Sequence, residues 1–153
     1  MEIYRISKKE FAAIDGAGGL FYPGRWHLAG YRVVYAAQHR SLAVIEYLVH
    51  ISSVHFLNDN FVISTIFIPE NAPIKVVDET TLNEGWSGIL NISKTQKIGT
   101  NFLEKANDLV MQVPSAIIAN EFNYIINPSH KAFKKCKVVD VQNFKFDSRL
   151  AKI

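Results

Sequence analysis

The chain predicts an α+β fold: a single compact domain over residues 1–153, with a mixed β-sheet and peripheral helices. Three observations carry this. Between Asn60 and Ile68, Phe61, Ile63, Thr65 and Phe67 alternate with Val62, Ser64, Ile66 and Ile68, a β-branched and aromatic period of two that Pro69 stops. Strand-like runs outnumber helical ones. They do not alternate regularly with helices, which disfavours a doubly wound parallel sheet.

In chain order, Glu2–Ser7 reads as a first strand and Lys8–Ile14 as a short helical turn. Asp15–Gly19 is a loop whose three glycines free the backbone to come close to something. Arg32–Ala37 is β-like, and a helix is expected from Ser41 to Ile51. Lys75–Val77 reads as a short strand and Asp78–Ser93 as irregular. Thr100–Asp108 reads as a helix capped by Thr100 with Phe102, Leu103 and Ala106 turned inward. Leu109–Ile118 and Phe122–Ile126 read as strands, Asn127-Pro128 as a turn, and Val138–Phe146 as a last ribbon.

Hydrophobic residues at 48% with 20% charged suit a compact globular protein rather than a disordered one. A chain of this length can bury roughly 70% of its unfolded surface. Met1–Arg5 lacks the basic start and apolar core of a secretory signal, and no apolar run nears the ~20 residues of a membrane span. Cys136 is the single cysteine, which suits a reducing cytoplasm. The net charge of +3 is too small to argue for nucleic acid.

Candidate chemistry concentrates between Tyr22 and Glu46. Glu46 is the only formally charged residue from Ser41 to Ile51, on a helix apolar nearly all round and therefore expected to be buried. A buried carboxylate is costly unless it is paired or put to use. Leu42 and Val49 fall within about 60° of it at 100° per residue. The alternative is a buried ion pair, with Arg25 as one partner. Arg25 sits in Pro23-Gly24-Arg25-Trp26, where its planar fork could meet a phosphate or simply be solvated.

Tyr22 and Tyr35 read as core or rim aromatics, or as platforms for a ligand. Ser115 follows Pro114 in an apolar run, and without a Gly-x-Ser-x-Gly elbow it is no hydrolase nucleophile. Asn120, Asn123 and Asn127 read as turn and strand-end residues. His50 and His55 lack metal-ligand spacing, so no metal is expected. Neither a dinucleotide fingerprint nor a phosphate-binding glycine-lysine loop is present. Lys131, Lys134, Lys135 and Lys137 form a local basic patch, either solvated or a protein-docking surface.

The run GRW, a tyrosine-bearing strand, SLAVIEYLVH and then PSAIIANEFNYIINPSH resembles the RES domain, named for an arginine, a glutamate and a serine. Those would be Arg25, Glu46 and Ser115, with Tyr22 and Tyr35 at further site positions. The resemblance spans the chain from Tyr4-Arg5-Ile6 to the turn at Asn127–His130. Only the middle, about residues 70–105, is uninformative.

The resemblance implies a fold similar to ADP-ribosyltransferase toxins. It implies the toxin of a bacterial toxin–antitoxin pair, cleaving the nicotinamide–ribose bond of NAD+. Its partner would be a helix-turn-helix antitoxin that covers the site, with DNA engaged only through that partner. Nicotinamide leaves as a neutral molecule, so no general acid is needed, and one carboxylate can suffice. Glu46 would stabilise the oxocarbenium-like charge, Arg25 would clamp the diphosphate, Tyr22 and Tyr35 would pack on the nicotinamide riboside, and Ser115 would hydrogen-bond the substrate. Water, inorganic phosphate and a target side chain stay open as acceptor, which leaves an ADP-ribosyltransferase as the near alternative. A homo-oligomer also stays open. A nucleic-acid-binding module, motivated by the pI of about 9.0, is the distant alternative; no reader motif supports it.

Overall fold

The structure is a computed structural model describing residues 1–50 and 60–152. Seven strands form one sheet: β1 (Glu2–Lys8), β2 (Val34–Ala37), β3 (Phe61–Phe67), β4 (Ile74–Val76), β5 (Val110–Pro114), β6 (Phe122–Ile126) and β7 (Lys137–Phe144). Two α-helices accompany them, α1 (Arg40–Leu48) and α2 (Ser93–Lys105). The sheet order is β4-β5-β6-β2-β1-β3-β7. Every neighbouring pair is antiparallel except β4 with β5, so the sheet is mixed, as expected.

Register decides what shares a face. Tyr4 pairs with Ala37, Ala37 with Asn123, and Asn123 with Val113, so the four stand in one row across the sheet. On that face Leu42 and Ala43 of α1 pack with Ile6, Ala37, Phe61 and Ile63. Further along the same face, Phe102 and Leu103 of α2 pack with Met111, Val113 and Ile125. The two helices thus cover different strands of one face, and Asn123 lies in the row between their territories. The opposite face buries Ile3, Val34, Ala36, Ile66, Val110, Tyr124 and Ile126 under Ile14 and Phe133.

Several boundaries differ from the sequence expectation. α1 is not buried all round: only Leu42 and Ala43 are buried, Glu46 is half-buried, and Val49 is exposed. The helix covers the sheet with one stripe and turns the rest outward; its expected end at Ile51, like His55, lies outside the described residues. α2 starts at Ser93, so Thr100 is not its cap but a buried residue seven positions into it, accepting a hydrogen bond from the Leu28 amide (3.0 Å). Ala106 ends the helix in the left-handed region (φ 46°) rather than extending it inward. β5 stops at Pro114 instead of continuing to Ile118, because the Ser115 hydroxyl accepts the Ile117 and Ile118 amides (3.1 Å each) and bends the chain. No described helix is long and apolar enough to cross a membrane.

Candidate active site

Arg25 is placed by a tight turn. The Gly24 amide donates to the His27 carbonyl (3.0 Å), closing a short antiparallel bridge. A Cβ on Gly24 would stand 2.7 Å from the Tyr35 hydroxyl, so only glycine lets the turn lie this close to β2. Behind the turn, Trp26 is buried against Trp86, ring centroids 6.1 Å apart. α2 holds it from below: Thr95 Oγ1 donates to the Arg25 carbonyl (2.7 Å) and Gln96 Nε2 to the Gly24 carbonyl (3.0 Å). Gly99 has no Cβ because one would sit 1.7 Å from the Trp26 carbonyl oxygen.

The Arg25 guanidinium does not stand free. Nη1 donates to the Trp86 (2.8 Å) and Gly88 (3.2 Å) carbonyls, and Nη2 to that of Ser87 (2.9 Å). It forms no ion pair with Glu46 among the described residues, which removes the buried-pair alternative. The two are nonetheless close enough to interact. Partial burial lowers the Arg25 pKa below its ordinary value, while the charge of Glu46 acts to raise it. The group stays a cation throughout the physiological range.

Tyr35 of β2 backs the same turn. Its hydroxyl accepts the Trp26 amide (3.1 Å) and lies 2.8 Å from His27 Nδ1. Burial pushes the phenol far above the usual tyrosine range, so it is neutral. Burial likewise lowers the His27 pKa, with the backbones of Tyr22 and Gly19 opposing. With Nδ1 taken up by Tyr35, the proton belongs on Nε2, which is buried without a well-formed hydrogen bond. Tyr22 is 75% exposed, at the rim beside the turn rather than in the wall.

Glu46 is anchored from the sheet. Its Oε1 accepts from Ser115 Oγ (2.8 Å) and from Asn123 Nδ2 (2.5 Å). Ser115 is buried just beyond β5, and Asn123 sits on β6 directly opposite Val113. Since Ser115 Oγ already accepts two amides, its single proton is committed to Glu46 rather than left for a substrate. The structure thus brings Glu46 and Ser115 into contact, ties Arg25 and Tyr35 to one turn beside them, and leaves Tyr22 at the edge.

Sequence reasoning missed Asn123, His27, Trp86 and Gly99. A polar side chain inside the apolar run of β6 was the available signal for Asn123. The glycine-rich Asp15–Gly19 stretch does serve close approach: a Cβ on Gly19 would lie 2.4 Å from the Tyr31 carbonyl, within the protein itself. No cluster of three metal-binding side chains forms among the described residues. A depression of about 340 Å³ lies elsewhere, lined by Lys75, Asn101, Phe102, Lys105, Asn107 and Asp108, and contains none of these groups.

Known proteins resemble this chain over nearly its whole length. The chain is 39% identical over 155 residues to Toxin Res of Photorhabdus laumondii subsp. laumondii, covering 99% of this chain and 98% of that protein. It is 31% identical over 143 residues to the Prs ADP-ribosylating toxin of Sphingobium sp., covering 90% and 86%. Its fold is similar to a chain in the crystal structure of the M. tuberculosis MbcT–MbcA toxin–antitoxin complex, with a TM-score of 0.77 and 14% identity over 99% of this chain and 86% of that one. The RES domain matches residues 2–147, which take in the Arg25 turn, Glu46 and its two donors, and the chain belongs to the RES domain family.

Proposed function

We propose that this RES-family toxin destroys NAD+ by breaking the bond between nicotinamide and ribose. The observation that carries the reading is the Glu46 carboxylate, held by Ser115 and Asn123 with no cation bonded to it among the described residues. A carboxylate fixed in place and not neutralised can stabilise positive charge developing at the anomeric carbon. Departure of neutral nicotinamide needs no second acid.

Arg25 clamps the diphosphate. Its carbonyl bonds occupy one end of the guanidinium, and Nε–H with the neighbouring Nη2–H forms a second edge suited to a bidentate phosphate contact. Tyr22 covers the nicotinamide riboside from the rim, Tyr35 supports the wall behind it, and Ser115 acts through Glu46. No metal takes part. The acceptor is water or inorganic phosphate. Transfer to a protein side chain is the second reading, favoured by the 31% identity to a relative named as ADP-ribosylating.

The protein acts in the cytoplasm, held in check by a helix-turn-helix antitoxin that covers Arg25 and Glu46. The apolar rim supports a protein cover: Phe21, Tyr22, Ile89 and Leu90, each at least 73% exposed, adjoin Arg25 and its carbonyl partners in the chain.

The test is to incubate antitoxin-free protein with NAD+, with and without phosphate and in chelator, and identify products by mass. Free nicotinamide with ADP-ribose or a phosphorylated ADP-ribose is expected. Unchanged NAD+, or activity lost to chelator, sinks the reading; a labelled protein adduct selects the transferase. Expression without the partner should arrest growth, and unslowed growth with active toxin would end the antitoxin part.

A further inference from the structure

We infer that Asn123 is a positioning residue that, with Ser115, fixes Glu46 Oε1 and leaves Oε2 as the oxygen that meets the substrate. This rests on the reading of Glu46 given above. A glutamate on a half-buried helix has three side-chain torsions to settle, and nothing else on α1 could hold its far end. The two donors reach it from the ends of adjacent sheet strands, β5 and β6, whose Val113–Asn123 pairing fixes their separation. Both bonds converge on Oε1, and Oε2 accepts none among the described residues.

The amide orientation of Asn123 follows from its partner. Turning it over would set a carbonyl oxygen against a carboxylate oxygen, two acceptors facing each other. Both donors are also neutral. A lysine or arginine in place of Asn123 would hold the carboxylate equally well but would cancel the charge that the reaction needs. Asn123 thereby supplies direction without neutralisation, and nothing requires it to touch substrate.

The experiment uses Asn123→Ala and Asn123→Asp in the full chain. Asn123→Ala should lower kcat roughly 10- to 100-fold with KM little changed, the scale of a misplaced catalytic group. Asn123→Asp sets a second carboxylate against Oε1. Two carboxylates so close cannot both ionise, so the acid limb of kcat should move to higher pH. Of the other titratable groups nearby, Arg25 stays charged and Tyr35 neutral throughout, and His27, whose pKa burial lowers, is present in parent and variant alike, so the comparison between them isolates the new carboxylate.

A residue that merely supports the fold would lower the melting temperature and leave the pH profile in place. Native kcat in Asn123→Ala, or a rise in KM alone, overturns the inference while NAD+ cleavage by the parent chain stands. Titration of the Glu46 side-chain carbon by NMR, parent against Asn123→Asp, asks the same question without NAD+. A raised apparent pKa in the variant supports the contact; an unchanged one overturns it, whatever the protein does to NAD+.

Discussion

Arg25 and Glu46 lie close enough to interact but are anchored in opposite ways. Arg25 grips main chain: its guanidinium holds three successive carbonyls, while Thr95 and Gln96 of α2 hold the carbonyls of its own turn. Glu46 is gripped by side chains, one hydroxyl and one amide. The arginine side therefore depends on backbone approach and on glycines that permit it. The glutamate side depends on particular functional groups. Damage to the first should show as lost stability and binding; damage to the second should show as lost rate.

The largest expected effect is Glu46→Gln. The amide keeps an acceptor for Ser115 and Asn123, so thermal unfolding should barely move. The loss of negative charge should cut NAD+ turnover by roughly 10²–10³-fold, the scale for one preorganised electrostatic group. A protein that melts far lower yet turns over normally would reverse the comparison.

Next is Gly99→Ala. Its methyl would collide with the Trp26 carbonyl 1.7 Å away, both of them backbone-bound and unable to swing aside. Forced separation of α2 from the Arg25 turn should cost about 1–3 kcal/mol in denaturant unfolding and raise KM. A native melting curve would mean that the turn is not held from α2.

Arg25→Lys sharpens the contrast further. Lysine keeps the charge but cannot fork across successive carbonyls. KM should rise about tenfold, equivalent to ~1.4 kcal/mol of binding, with a smaller fall in kcat. The 85–91 segment should become easier for a protease to cut. A kcat loss without a KM change would move Arg25 to the glutamate's class.

The smallest effect is in pH. Burial places the folded-state pKa of His27 below its ordinary 6.5. Its contribution to stability should therefore be complete above about pH 6.5 and decline as pH falls from there towards the folded-state value, because only the unfolded chain takes up the proton. His27→Gln should flatten this slope in unfolding measured between pH 7 and pH 5. An unchanged slope would assign the acid sensitivity elsewhere.

The same division explains what could be read from the residues alone. Glu46 was legible because a lone charge in an apolar helix has few structural uses, and Phe61–Phe67 because its alternation persists for a whole strand. Arg25 stood out through its Pro-Gly turn. Its partners did not, since they are carbonyls, and every residue carries one. Asn123 looks like a turn former until the β5–β6 register sets it opposite Val113. The first half of α2 was hidden by an uninterrupted polar run from Ser93 to Lys97 and by Gly99, a poor helix former whose missing Cβ permits a contact with a residue 73 positions back in the chain.

The sheet order has a consequence for the sequence of synthesis. β2, which carries Tyr35, lies between β1 and β6, so one flank of the central strand is paired by a strand made early and the other by a strand made late. A ribosome-bound chain that has emerged only as far as β4 already includes Arg25, Tyr35 and Glu46, yet it has neither Ser115 nor Asn123 to aim the carboxylate. The carboxylate arrives well before the two side chains that hold it. Pairing of β5 with β6 is therefore the step that brings the two donors of the Glu46 carboxylate together, and it comes late in synthesis.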